Sequence, residues 1–502
     1  MIKSFSQIIV FLSMICTISS CTFTKIVVFF KPSIEDHQKV FVCDTIPGSA
    51  MDDWAAASSE VMPLKKGLFV NANAPANIPP MEQWIPMEEN LETTNFDAFL
   101  EKSKTTALII IKNDSVLYER YLNGGAKDKP KVVFSVTKAI VATLTAIAAE
   151  DGLLSLDQKV ADFIPEFSNG ARKDITLRHL MGMVSGLNWH DFDNVLRLGG
   201  LYYTGNQERF VKRAAKTKYE PNTHFAYKSL STQILGICLE KAIGQSLASY
   251  LEAKIWQPVG MQYDAMVTLD SKKHRNPRTF GGLALTAPDM IRFGKLMLND
   301  GVWEGQQIVP TWFVEAVKNR DMNDWFGYSN CYWRNGYEEL GFESNQQYWA
   351  AGYSGQYIFV SPKDNIIIVR TGAEEKSHWS LLLGRLSSLL ANGRNDLTDK
   401  SLDFGAQFSG TYTNEEGQKM TLELLPELDK YERRQWLWKR DLTQFVEGEK
   451  LKELTQLDGV SLGYKKGGKQ TRMYYDIKEG KVLGFYYNSW PDVGLTYFKK
   501  MQ

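Results

Sequence analysis

The order of strand-like and helix-like runs constrains this chain most. Residues 107–112 and 115–121 have strand character and meet at Asn113-Asp114, which is hairpin-turn chemistry. Three further strand-like runs, 348–351, 356–360 and 366–371, lie far downstream. The last two are joined by Ser361-Pro362-Lys363-Asp364-Asn365, a strong turn sequence. Between the two groups the pattern is helical, at 136–150, 175–181, 206–216, 229–256, 286–299 and 309–319, and another helix is expected over 377–390. Strands at both ends of a block with helices between them imply one antiparallel sheet assembled from both ends. Helices would cover it, beside an all-helical lobe, giving an α+β arrangement. The cleft between sheet and lobe is the natural place for a site.

The first helix of that block opens with Phe134-Ser135-Val136-Thr137-Lys138, which contains the sole Ser-x-x-Lys of the chain. Ala139, Ile140, Val141, Leu144, Ile147 and Ala148 follow at helical spacing. If Ser135 opens the helix, Lys138 lies one turn on, on the same face as the hydroxyl. A partly desolvated lysine loses its proton more readily and can accept one from the serine. The helix start also presents free N–H groups and a positive dipole end to a developing oxyanion. The plainer alternative is that Ser135 is an N-cap and nothing more.

Two more stretches bear on chemistry. Phe225-Ala226-Tyr227-Lys228-Ser229 lies between a turn at 220–223 and the next helix, where a tyrosine hydroxyl can enter a cleft. Beside the Lys138 ammonium its tyrosinate form would be favoured, making the phenol a proton shuttle. Trp349-Ala350-Ala351-Gly352-Tyr353-Ser354-Gly355-Gln356 is rich in small residues within a strand pattern, which lets another backbone approach closely. It also reads as a tight hairpin turn. Trp189, His190, Trp325, Tyr328 and Trp333 are candidates to line the cleft, and His224, three residues before Tyr227, to tune it. His179 reads as structural.

These three stretches, in this order, resemble the penicillin-recognising serine hydrolase family: Ser-x-x-Lys, then Tyr-x-Ser, then a Lys/His-x-Gly strand. Residues 156–160, 175–180, 185–187 and 282–290 share its texture, nearest to the 6-aminohexanoate-dimer hydrolase-like and esterase group. The resemblance spans residues 95–395 and implies a β-lactamase/transpeptidase-like fold. It implies Ser135 as the acylated nucleophile, Lys138 and Tyr227 as proton shuttles, and Ser229 as a hydrogen-bonding group near the lysine. Gly352 matches the glycine of the strand motif, and the Tyr353 N–H would be an oxyanion donor. The family's cation in that motif is Ala350 here. This argues against efficient β-lactam or D-Ala-D-Ala binding and fits hydrolysis of a small or short peptide-like ester or amide. A non-catalytic binding protein and a penicillin-binding carboxypeptidase or β-lactamase are the alternatives.

Outside this block, Lys3, the apolar run 8–18 and Ile18-Ser19-Ser20-Cys21 read as an export signal over 1–24, with Cys21 lipidated as in a bacterial lipobox. The apolar patch 26–30 leaves an uncleaved anchor open. The expected location is periplasmic or cell-envelope, held to the membrane by lipid or anchor. Residues 25–94, with Pro75, Pro79, Pro80 and Pro86, read as an extended N-terminal arm. From 396 to 502, short alternating runs at 420–425, 435–438, 472–477, 482–487 and 495–498 predict a small all-β domain, a barrel or meander. Lys+Arg and Asp+Glu both number 58, so no basic face for nucleic acid is expected. No metal-ligand spacing occurs, so no metal is expected, nor any other cofactor, and the lack of a Gly-x-Ser-x-Gly elbow excludes an α/β-hydrolase reading. Cys238 reads as a buried thiol, and a disulfide at Cys43 has no support in the spacing.

Overall fold

Residues 107–111 are apolar at every position, a pattern that suits a strand covered on both faces. In the computed structural model they lie in Thr105–Lys112, inside a seven-stranded antiparallel sheet. Across that sheet the strands run Ser115–Tyr121, Thr105–Lys112, Ile366–Gly372, Gln356–Ser361, Tyr348–Gly352, Tyr332–Arg334 and Tyr328–Ser329. The two distant groups of strands therefore join into one sheet, through pairs such as Ile109↔Val369 and Ile110↔Ile368. Asn113 and Asp114 both take positive φ, as the two-residue hairpin requires.

The structure describes residues 42–46, 100–101, 103–189, 191, 195–319, 327–334, 347–373, 379–392, 409–415, 417–424, 435–440, 452–458, 461–466, 469–478, 481–490 and 496–501. The expected export signal with Cys21 lies outside them, as do most of the proline-rich arm, His190 and Trp325. Residues 42–46 of that arm are a strand, Val42–Ile46, paired with Ala265–Leu269. That pair extends through Leu283–Leu285 to Lys131–Val132 and forms a second, four-stranded sheet.

Strand alternation sends side chains to two cores. Ile109, Ile111, Ile367 and Val369 pack with Met290 and Phe293 of the helix Ala287–Leu298, in the core that also holds the Val136–Glu150 helix. Leu108, Ile110, Ile366 and Ile368 face the other way, onto Trp379, Leu383 and Leu386 of the helix Trp379–Asn392. The large sheet is thus sandwiched, and the first core continues into the helical lobe. Close packing of helix on sheet depends on Gly294, where an added Cβ would come within 2.8 Å of the Ile367 side chain.

The long helix expected over 229–256 is broken. Ser229–Ile243 ends where Gly244 adopts the left-handed conformation, φ 65°, and the chain restarts as Leu247–Leu251 after a cap by Ser246. A glycine at that position is a strong stop, and it outweighs the continuing apolar pattern. Towards the C-terminus, Gly410–Thr413 to Thr496–Lys500 are the first and last of eight strands in a closed antiparallel barrel, sealed by Tyr412↔Lys500 and Thr413↔Lys499. Closure removes the open edges that a meander would leave.

Ile368 is fully buried beneath the Trp379–Asn392 helix, so Ile368→Ala is expected to cost about 2–5 kcal/mol in urea unfolding. An unchanged unfolding midpoint would contradict this packing.

Candidate active site

The Val136–Glu150 helix is buried from Val136 to Ala148, so its start is fixed by the core around it. Ser135 precedes it with helical backbone angles, φ −67° and ψ −8°, and its side chain makes no cap hydrogen bond. The hydroxyl instead accepts from Lys138 Nζ at 2.8 Å. No backbone carbonyl among the described residues accepts from the Ser135 N–H. The residue before it, Phe134, sits at φ 46°, an uncommon conformation for an aromatic residue. Its ring lies edge-on to Tyr353 with centroids 5.6 Å apart.

Lys138 is 1% exposed. Besides Ser135, its Nζ donates to the Phe280 carbonyl at 2.6 Å. Phe280 is brought there by the small sheet: Val133 N–H donates to Leu283 O at 2.9 Å, and Leu283 N–H to Thr137 Oγ1 at 3.1 Å. Burial pulls the Lys138 amine down to about 8, partly opposed by the negative charge of Asp191. A minor neutral fraction therefore exists at neutrality and grows as pH rises through about 8, and neutral Lys138 can accept the Ser135 proton.

Tyr227 is also buried, its ring stacked on Trp333 at 5.5 Å and edge-on to Tyr328 at 5.8 Å. Lys138 Nζ lies over the ring, 5.1 Å from its centroid. Burial pushes the phenol well above its ordinary range, and a side-chain hydrogen bond with Ser135 only partly offsets this. The tyrosinate expected from the sequence is thus disfavoured. Desolvation outweighs the nearby amine, and Tyr227 is a neutral phenol beside the serine.

The loop carrying Tyr227 is docked by backbone hydrogen bonds. Ala226 N–H donates to Met183 O at 3.1 Å and Asn222 N–H to Val184 O at 2.8 Å. Gly186 takes φ 69°, and a Cβ there would lie 2.2 Å from Tyr219 O, so the two segments run in contact. This alignment brings in a residue the sequence did not single out. Asp191, 5% exposed, accepts from Trp189 Nε1 at 2.8 Å, Ser229 N–H at 2.8 Å and Ser229 Oγ at 2.6 Å. Ser229 thus bonds to a carboxylate that influences the lysine. An Asp two residues after a Trp in a loop carries no spacing signal of its own.

Gly352 ends the strand Tyr348–Gly352, and a Cβ there would fall 2.1 Å from Val133 O. The glycine of the third motif lets this strand pass directly against the backbone leading to Ser135. Tyr353, Ser354 and Gly355 form the turn, the last two at positive φ, with Tyr353 half exposed. Ala350 is buried in the main core and offers no charge.

The other residues named from the sequence are placed as follows. Trp189 is buried, its indole turned to Asp191, and Tyr328 is buried behind Tyr227. Trp333 packs on Tyr227 itself. The His224 ring stacks on Tyr219, with centroids 4.2 Å apart. His179 caps the helix Leu177–Met181 with Thr176, a structural role. Among the described residues, no group of three or more His, Cys, Asp or Glu side chains could hold a metal ion.

Comparisons with known proteins bear on the family and the fold. A family described as Beta-lactamase matches residues 93–381. The 6-aminohexanoate-dimer hydrolase of Paenarthrobacter ureafaciens is 23% identical over 309 residues, 56% of this chain and 76% of that protein. Penicillin-binding protein 4 of Amycolatopsis lactamdurans is 24% identical over 328 residues, 56% of this chain and 84% of that protein. A solved Bacillus anthracis structure, provisionally described as a 6-aminohexanoate-dimer hydrolase, superposes with a TM-score of 0.57 at 20% identity. It covers 73% of this chain and 94% of its own, a likeness of fold.

Gly352→Ala is expected to destabilise the protein by about 1–3 kcal/mol, because the new methyl group must displace Val133 or its own strand. Wild-type stability in thermal and urea unfolding would show that the two backbones are not so close.

Proposed function

The chain belongs to the beta-lactamase family and is a serine hydrolase; we propose that it cleaves an ester or amide bond through an acyl-enzyme on Ser135. The observation that carries this reading is the buried 2.8 Å contact between Lys138 Nζ and Ser135 Oγ, with the Tyr227 phenol in reach of the same oxygen. Neutral Lys138 takes the hydroxyl proton as Ser135 Oγ attacks the carbonyl carbon. The Ser135 N–H at the helix start, with the Tyr353 N–H opposite, would stabilise the resulting oxyanion. Tyr227 gives its proton to the leaving nitrogen or oxygen and regains one from the Lys138 ammonium. In the second half a water attacks the acyl carbonyl as its proton passes, relayed by the Tyr227 phenol, to neutral Lys138; Ser135 Oγ then leaves and takes that proton back.

Ala350 narrows the substrate class. No cation stands at that position to hold a carboxylate, which supports short linear esters or amides over β-lactams and D-Ala-D-Ala peptides. The relative from Paenarthrobacter ureafaciens, named as hydrolysing a 6-aminohexanoate dimer, makes linear amide oligomers of this kind the first class to test. The intact Lys138–Ser135 contact also supports catalysis over a vestigial binding scaffold.

With p-nitrophenyl esters, wild-type kcat/KM is expected to rise with pH through about 8, because Lys138 acts only after losing its proton. Ser135→Ala should abolish turnover and labelling by a fluorophosphonate. Equal activity in Ser135→Ala would refute the assignment. The reading includes export, supported by the sequence at 8–21 alone. In a bacterial host, labelled palmitate should enter the wild type but not Cys21→Ser, and equal incorporation would remove the lipid from the account.

A further inference from the structure

Among the buried charged groups that the mechanism above does not use, Asp191 and Lys228 hold the Tyr227 loop. Lys228 is 2% exposed and lies between Tyr227 and Ser229 in sequence. Its Nζ donates to Met183 O at 3.3 Å and Ala226 O at 3.1 Å. The Asp191 carboxylate takes three donors, two of them from Ser229. Each group therefore grips the Tyr227 loop and ties it to the facing 183–191 segment, one through a cation and one through an anion. Burying either charge alone would be costly.

We propose that Asp191 and Lys228 are positioning residues that form a charge-balanced pair, holding Tyr227 in place and leaving Lys138 as the amine that releases its proton. The inference rests on the catalytic reading of Ser135 and Lys138.

Hydrogen-bond partners distinguish the two amines. Lys228 faces two carbonyls, which only accept, so the donating ammonium suits it. Lys138 faces one carbonyl and the Ser135 hydroxyl, which can donate as well as accept, so its neutral form stays satisfied. Burial lowers both amines, Lys228 to about 7 and Lys138 to about 8, and the Asp191 charge raises both. Burial lowers Lys228 further than Lys138; against this, its two carbonyl acceptors favour the ammonium, whereas Lys138 has a partner that can donate to its neutral form. The other titratable groups whose charges reach Lys138, Tyr227 or Asp191 are Cys331, Tyr202 and Tyr328. Burial pushes all three upward, Cys331 to about 12, so they stay neutral through the working range. Among the described groups, the balance near neutrality is therefore held by one carboxylate and two lysines.

The signs follow directly. Removing the Lys228 charge leaves Asp191 to act on Lys138 alone, so Lys138 keeps its proton to higher pH. Removing the Asp191 charge has the opposite effect.

The test is the pH dependence of fluorophosphonate labelling and of ester kcat/KM in Lys228→Met, Asp191→Asn, the double variant and Lys228→Arg. The acid limb should move up by about one pH unit in Lys228→Met, roughly a tenfold loss well below the limb, and move down in Asp191→Asn. The double variant should return close to the wild-type limb, and Lys228→Arg should retain it. Limbs that stay fixed, or move in the same direction in both single variants, overturn the proposal. Urea unfolding of all four variants supplies a second reading. Pairing predicts that the double variant is less destabilised than the sum of the singles, and additive losses overturn it whether or not the singles are active. A wild type that is neither labelled nor active would refute the Ser135 reading instead, while the unfolding cycle would still judge the pair.

Discussion

An amine placed out of water beside a hydroxyl is the constraint on which the rest of this protein depends. In water Lys138 would hold its proton and be useless as a base. Surrounded by the helix it belongs to, the Phe280 carbonyl and the Tyr227 ring, it loses much of that preference. The same burial raises the Tyr227 phenol, so the two groups are driven in opposite senses by one cause. At Ser135 an amine able to take a proton thus stands beside a phenol that keeps its own.

Much of the architecture serves to keep that spot dry and in register. The Ser135 helix is covered on nearly every side, so its first turn has little freedom. The small sheet fixes Phe280 through Leu283, and the end of the Tyr348–Gly352 strand of the large sheet comes against Val133 at Gly352. The helical lobe contributes Tyr227 on a loop held at both ends by carbonyl contacts and by Asp191. Three parts of the fold thus converge, none of which could hold the geometry alone. The strained Phe134 backbone lies at their junction, where surrounding packing can sustain it.

The legible parts of the sequence were those with a local period or a local turn signal. Strand-like runs in 107–121 and 348–371, joined by the turn signals at Asn113-Asp114 and 361–365, foretold the sheet and its assembly from two ends. Helical spacing after Ser135 foretold where the first helix begins and that Lys138 shares its face. What could not be read depended on long-range closure. The Phe280 carbonyl is a group every residue has, and only the pairing of 283–285 with 131–132 brings it to the lysine. Asp191 is one carboxylate among many until Gly186 and Tyr219 come into contact. Phe134 gives no warning of positive φ, since neither glycine nor asparagine marks the place. The short strands Tyr328–Ser329 and Tyr332–Arg334 were read only as cleft aromatics, being too brief for alternation to register.

The central claim is that a covalent bond forms at one oxygen, and it can be seen directly. Rapid acid quenching during turnover of a slowly deacylated activated ester, followed by intact-protein mass spectrometry and peptide mapping, should show one acyl group attached at Ser135. It should accumulate within the first turnover and decay as substrate is exhausted. Turnover with no acylated protein at any quench time, or with the acyl group on another residue, would contradict the account.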